Sequence, residues 1–356
     1  MTAQSVLDAV RRVEEAPLKD LVAVTVDDVE AQMDHLLEPE IDSASLYARW
    51  ERQQWAVSDL DFSEDIKHWE SLPPNIRNVM QHTMTLFFIG EQAVTDTLAP
   101  LLHAAPYEDE RIFLATQIAD EARHTVFFQR FFEEVLGVGG GIHAALEAIT
   151  PRATEGFRKI FEHQLVDSMD LVRREPKNER AWVEGVVTYH LVIEGYLAIT
   201  GQRSLLRTFR NVGMMPGFSA GFTAVARDES RHTGFGVLAL RRRIAQQPEM
   251  ARVVTLKVLD LLEPAVRTAV SPDRRLPIED PREVPPPLRV NGVELREFAL
   301  SSLAKRLRAA GISVAAAADV QAQGMAMYET AWSDYERNHG LRHPVRFYQE
   351  GLVTAP

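Results

Sequence analysis

Apolar positions recur at helical spacing along most of the middle of the chain. Behind Pro73 and Pro74, where proline's fixed φ suits the first turn of a helix, the periodicity runs from about Ile76 to about Leu102. A second helix is predicted from Glu108 to Val135, ending in the glycine-rich run Gly137 to Gly141. A third follows Pro151 and fades near Arg174. The fourth spans about Glu179 to Phe209, closed by Gly213 and Pro216, and the fifth about Ser219 to Gln246, stopped before Pro248. Helices of this length with short connections predict an all-α bundle with additional helices. The one strand signal is LRVNGVEL, where Asn291-Gly292 between valines suggests a small hairpin. Residues 270–290 are proline-rich and read as an extended arm, a helical stretch follows from about Leu295 to Glu336, and the tail from Asn338 carries no predictable pattern. The expected organisation is a helical extension over 1–53, a core domain over 54–270, and the arm with a second helical extension over 271–356.

Two hexapeptides in these helices nearly repeat: DEARHT at 120–125 and DESRHT at 228–233. Each contains Glu-x-x-His, and three residues along a helix put both side chains on one face, one turn apart. That spacing suits two ligands on one ion. A single copy arises by chance on surface helices; two copies carry far more weight. Each is preceded by a lone Glu one helix earlier, Glu91 before Glu121 and Glu194 before Glu229. Glu, then Glu-x-x-His, twice over, is the ligand order of ferritin-like four-helix bundles with two metals inside. The candidate metal ligands are therefore Glu91, Glu121, His124, Glu194, Glu229 and His232.

The flanks predict burial. Glu91 follows Leu86, Phe87, Phe88 and Ile89, and Glu194 sits in TYHLVIEGYLAIT. An isolated carboxylate there would take up a proton or cost several kcal/mol. Two divalent cations remove the difficulty, because four carboxylates balance their charge. Oxygen and imidazole donors without sulfur suit iron and manganese alike and suit zinc less. Each motif also carries an Asp and an Arg, Asp120 with Arg123 and Asp228 with Arg231. The doubling suggests support for the ligands, with Asp accepting from the free ring nitrogen of a ligand His.

Composition narrows the setting. There is no cysteine, which excludes disulfides, thiolate ligands and iron–sulfur clusters and points to a cytoplasmic protein. A net charge of −12 argues against a nucleic-acid partner, and no stretch has the roughly 18 apolar residues of a membrane span.

The ligand pattern, with Trp55 and Asp61-Phe62-Ser63 before it, resembles the ribonucleotide reductase small subunit and its relatives over about residues 54–243. Position 128, four after His124, is Phe where radical-storing subunits carry Tyr. The strings GEQAVT (90–95) and TYHLVIEGYLAITG (188–201) are similar to the ligand-binding oxidases of the reductase-like group. That resemblance implies a manganese/iron cofactor, or a di-iron one, assembled with dioxygen. Manganese would take Glu91, Glu121 and His124, and iron Glu194, Glu229 and His232, with Glu121 and Glu229 bridging. It implies a long-chain fatty acid with its carboxylate on the metals, and an ether cross-link formed by oxidation between Val94 and Tyr189. It further implies a homodimer supplied by an electron donor the sequence does not identify. Gln202 stands where that group has Tyr, so hydrogen bonding near the iron is expected to differ.

Other classes share these ligands. A reductase subunit lacking the radical Tyr would use Trp55, Asp228 and His124 as a radical path, with Tyr348 in the tail. A di-iron hydroxylase or N-oxygenase differs only in its substrate. Metal storage would need a cage, which the proline-rich arm disfavours.

Overall fold

The computed structural model describes residues 3–356, and these form helices, turns and loops with no strand among them. Pro74 opens α1 (Pro74–Thr97), but the helix breaks at Leu98 and restarts as Ala99–Ala104, short of the unbroken run the periodicity predicts. Pro100 is the reason: it has no N–H for the carbonyl four residues back, and its ring crowds that turn. α2 (Glu108–Glu134) carries three acidic residues in its first turn, favourable against the helix dipole. α3 runs as Glu155–Arg158, a π-helical Lys159–Leu165 and Val166–Arg174. α4 is likewise composite: Glu179–Val186, a π-helical Val187–Ala198 and Ile199–Val212. α5 (Pro216–Gln246) is almost wholly buried.

The ferritin-like core consists of α1, α2, α4 and α5. α1 lies along α2, and α5 packs against both α2 and α4. The start of α5 is pinned by the Asp65 carboxylate, which accepts the N–H groups of Gly217 at 2.9 Å and Phe218 at 2.7 Å. That satisfies donors every helix N-terminus leaves free. Three N-terminal helices, Ala3–Glu15, Val26–His35 and Ser43–Arg52, cover one side of the core. Arg227 of α5 ties them down by donating to the carbonyls of Ala16 and Gln53, both at 3.0 Å.

On the other side α8 (Val314–His339) packs on both α6 (Met250–Ala269) and α7 (Gly292–Ala309), and α6 and α7 also rest on the π-helical part of α4. Two expectations fail here. The Asn291-Gly292 hairpin does not form; Asn291 is instead the N-cap of α7, its Oδ1 accepting from Val293 N at 3.0 Å. Asn-Gly makes a hairpin only between strands that can pair, whereas VELREFALSSLAKRL after it has helical periodicity. The single stretch from Leu295 to Glu336 is in fact two helices. Gly311, at φ +104°, ends the first, and the Ser313 hydroxyl caps the second by accepting from Ala316 N. Between α6 and α7 the chain makes two short 3₁₀ turns, Pro281–Glu283 and Pro286–Leu288, and the tail contains the helix Val345–Gln349.

α4 and α5 approach so closely that only glycine fits at the contact. A Cβ on Gly236 of α5 would lie 2.2 Å from the His190 Cβ of α4. Gly236→Ala must therefore push α5 off α4. It is expected to cost about 1–3 kcal/mol, as overpacking does, read as a drop in Tm; an unchanged Tm would reject this close approach.

Candidate metal centre

Four helices deliver the six predicted side chains to one level of the core. Glu91 comes from α1, Glu121 and His124 from α2, Glu194 from the π-helical part of α4, and Glu229 and His232 from α5. All six are buried. They fall into two groups able to hold an ion each: Glu91, Glu121, His124 and Glu229, and Glu121, Glu194, Glu229 and His232. Glu121 and Glu229 belong to both.

The ring orientations are specific. His124 turns Nδ1 inward, 3.4 Å from Glu91 Oε2 and 3.4 Å from Glu229 Oε1. His232 turns Nδ1 inward, 3.1 Å from Glu121 Oε1 and 3.2 Å from Glu194 Oε1. Both rings point Nε2 outward to a carboxylate: His124 to Asp228 Oδ2 and His232 to Asp120 Oδ2, each at 3.2 Å. The pairing is crossed, for each Asp serves the His of the other motif. With Nε2–H donating outward, the Nδ1 lone pair is left for a cation.

Those two aspartates are held in turn by a near-symmetrical frame. Arg231 Nη2 donates to Asp228 Oδ1 at 2.6 Å and to Asp120 Oδ2 at 2.9 Å. Arg123 bonds both as well, reaching Asp228 Oδ2 at 3.1 Å and Asp120 Oδ1 more closely. Trp55 Nε1 donates to Asp228 at 2.9 Å, and Trp50 Nε1 donates to Asp120 at 3.0 Å. The Arg123 guanidinium lies 5.0 Å from the Trp55 ring centre. Gln53 and Gln54 accept from Arg231 and Arg123. Trp50 and Gln53 escaped sequence reasoning because they lie before residue 54, in or just after the helix Ser43–Arg52. Only a tryptophan five residues before Trp55 hinted at them.

A third line of support also went unread. His190 Nε2 stands 3.1 Å from Gln117 Oε1, and Gln117 Nε2 donates to Glu194 Oε1 at 3.1 Å. Burial pushes His190 down to about 3, so the ring is neutral, and its Nε2–H donates to the amide oxygen. Gln202, by contrast, is buried with neither side-chain polar atom hydrogen-bonded, and so makes no hydrogen bond to the cluster.

The electrostatics call for cations. Burial pushes Glu91 up to about 8, and burial followed by the Glu229 charge drives Glu194 well above the usual range. Burial would lower both histidines of the cluster, yet the surrounding carboxylates outweigh it and raise them well above 6.5. Burial also opposes ionised Asp228, but Arg231, His124 and Arg123 hold it well below its ordinary value. Among the described residues, Glu121 Oε2, His124 Nδ1, Glu194 Oε2 and Glu229 Oε2 are buried with no hydrogen-bond partner. Such orphaned acceptors are costly in a protein interior. A set of carboxylate oxygens and imidazole nitrogens facing one another suits two divalent ions.

One face of the cluster opens on a cavity of about 230 Å³. Glu91, Glu121, Glu194 and Glu229 border it, and Phe87, Val94, Phe157, Phe161 and Ile193 are among its apolar walls. Tyr189 borders it too, donating its hydroxyl to Glu121 Oε1 at 2.5 Å. Burial, with Glu121 next in effect, raises that phenol well above 10, so it stays protonated. Phe88, Phe127, Phe222 and Phe235 are core.

Together, fold and site define an all-α protein with a buried carboxylate–histidine centre built for two metals. A family model for the ribonucleotide reductase small chain matches residues 40–268, well over half of the sequence, and the chain belongs to that family. Solved structures of an R2-like ligand-binding oxidase share its fold. A tyrosine-to-phenylalanine variant aerobically reconstituted with a Mn/Fe cofactor is 22% identical, with a TM-score of 0.66 over 77% of this chain and 94% of that one. A valine-to-isoleucine variant anaerobically reconstituted with Mn/Fe is 21% identical, with a TM-score of 0.64 over the same shares.

The crossed pairing gives a specific expectation. Asp120→Asn should weaken divalent metal binding about 10–100-fold in the half of the site served by His232, and Asp228→Asn in the half served by His124. Chelator competition with manganese EPR would read this; a loss confined to each aspartate's own motif would reject the pairing.

Proposed function

We propose that the chain is a dioxygen-activating dimetal oxidase that binds a hydrophobic, fatty-acid-like ligand and forms an ether link between its own Val94 and Tyr189. The observation that carries this reading is a cluster of buried carboxylate and imidazole atoms without hydrogen-bond partners, whose glutamates border an apolar cavity shared with Val94 and Tyr189. Family membership and the Mn/Fe cofactor of the related oxidase structures support manganese and iron as the metals. Glu91, Glu121 and His124 would hold manganese, Glu194, Glu229 and His232 would hold iron, and Glu121 and Glu229 would be shared. Such a pair supplies the redox chemistry by which dioxygen accepts electrons.

The chain's own residues do the rest. Asp120 and Asp228 fix the imidazole tautomers, Arg123 and Arg231 hold both aspartates in place by hydrogen bonds, and their charge helps keep Asp228 ionised. The phenylalanines exclude water. Ether formation removes one hydrogen from a Val94 carbon and one from the Tyr189 hydroxyl and makes one C–O bond; dioxygen takes the two electrons. Glu121 Oε1, already accepting from Tyr189, is the group placed to receive the phenol proton. A homodimer in the cytoplasm, drawing on an external electron donor, completes the proposal; among the described residues no helix is long and apolar enough to cross a membrane.

The hydrogen-bonded line from Trp55 through Asp228 to His124 supports a second reading, a reductase small subunit without the radical Tyr. Cofactor-dependent nucleotide reduction with a large subunit would establish it.

Intact and peptide mass spectrometry on aerobically prepared protein, with metal analysis of the same sample, tests the first reading. The expected result is one manganese and one iron per chain, a loss of two hydrogens, and a Val94 peptide joined to a Tyr189 peptide. Tyr189→Phe should keep the metals and lose the link. Unlinked peptides in a fully loaded, oxidised sample would sink the cross-link and advance the reductase or N-oxygenase readings.

A further inference from the structure

The cavity has a second polar end, partly built by residues beyond the family match. From Glu91 its wall follows α1 back through Phe87, Leu86 and Thr83 to His82, nine residues or roughly 13 Å of helix. The C-terminal end of α6, with Thr268 and Ala269, borders the cavity as well. The segment that follows it is tied toward the start of α1. Arg274, just past α6, donates to the carbonyls of Arg152 at 2.7 Å and Pro151 at 3.1 Å. Arg152 in turn donates to Asn78 Oδ1 at 3.0 Å and Gln81 Oε1 at 3.3 Å, beside His82 and away from Glu91.

Across this end α7 lays Arg296, whose Nη2 donates to the Ala269 carbonyl at 3.2 Å. Its guanidinium lies 5.5 Å from the Tyr328 ring centre, and Tyr328 is hydrogen-bonded to Tyr196, another residue of the lining. Arg296 is half-buried, and among the described residues it forms no ion pair with a carboxylate. A guanidinium has five N–H groups in a fork that fits a carboxylate. His82, the other basic side chain of the lining, is pushed down to about 4 by burial and then by Arg274 and Arg152, and is neutral. The lining therefore presents one permanent positive charge, at the end remote from the four glutamates.

We propose that the cavity takes an acid-bearing hydrophobic molecule whose anionic group pairs with Arg296, turning a carbon distant from the acid toward the carboxylate cluster and Tyr189. This rests on the cavity being the ligand site of the oxidase reading, and it reverses the orientation the oxidase resemblance implies. Along the roughly 13 Å of wall from Glu91 to His82, at about 1.2 Å per bond of extended chain, some ten bonds fit, so a medium-chain acid matches the cavity's length.

Decanoate and its uncharged methyl ester are the probes, titrated calorimetrically into the full chain with and without metals. Decanoate is expected to bind more tightly than the ester by about ten- to a hundredfold in both states. Arg296→Met should bring decanoate down to the level of the ester and leave ester binding unchanged, while Arg296→Lys restores part of the preference. A Tm near that of the unaltered protein confirms each variant is folded. An acid preference that survives Arg296→Met but vanishes on metal removal would put the acid on the metals and overturn the proposal, as would failure of both probes to bind. Failure of the oxidase reading would appear separately, as a missing oxygen-dependent mass change.

Discussion

Four glutamates and two histidines share one small region of a helical core, and most of what surrounds them makes that burial tolerable. Without counter-charge, burial drives Glu91 and Glu194 toward their neutral forms, while the histidines are pulled toward their charged ones. The frame outside resolves the conflict in only one direction. Two aspartates, each gripped by Arg123, Arg231 and a tryptophan indole, accept the outward N–H of the two imidazoles. The inward lone pairs are then fixed. A frame of this kind cannot be built from the bundle helices alone, which explains why Arg227 binds the N-terminal helices so firmly and why Trp50, Gln53 and Trp55 lie where those helices meet α2 and α5.

The repeat of Glu-x-x-His made the carboxylate–histidine cluster legible in the sequence because it is a local pattern: one face of one helix, twice. The helices themselves were legible for the same reason, with boundaries within a few residues for α2 and α5. What could not be read was non-local or conformational. The crossed Asp–His pairing depends on how two helices face each other. The His190–Gln117–Glu194 line depends on α4 and α2 meeting at one level. The π-helical segment from Val187 to Ala198 has no periodicity of its own to announce it, since it is apolar on every side. Asn291-Gly292 misled because the same dipeptide serves a hairpin and a helix start, and only the partner strands or the following helix decide between them.

The π-helical segment also links the fold to the chemistry. It carries Tyr189, His190 and Glu194 within six residues, so one widened stretch of helix presents a phenol to Glu121, a carboxylate to the cluster and an imidazole to Gln117. π-segments of this kind recur at functional sites because the extra residue per turn re-aims side chains that an α-helix would spread around its circumference. Here the cost is a tight fit, for Gly236 of α5 is required where the His190 side chain presses against it.

The C-terminal helices give the last step. α6 and α7 rest on that same π-helical stretch, so the elements that brace the widened helix are also those that border the cavity next to it. The metal-facing end of the cavity is made from bundle residues inside the family match, whereas Leu295, Arg296 and Tyr328 lie beyond it. On the ligand reading proposed above, chemistry and selectivity occupy different parts of the chain. The carboxylate cluster constrains which metals and which oxidant the protein can use, and the added helices can change the shape and charge of the far end without disturbing the frame that holds His124 and His232.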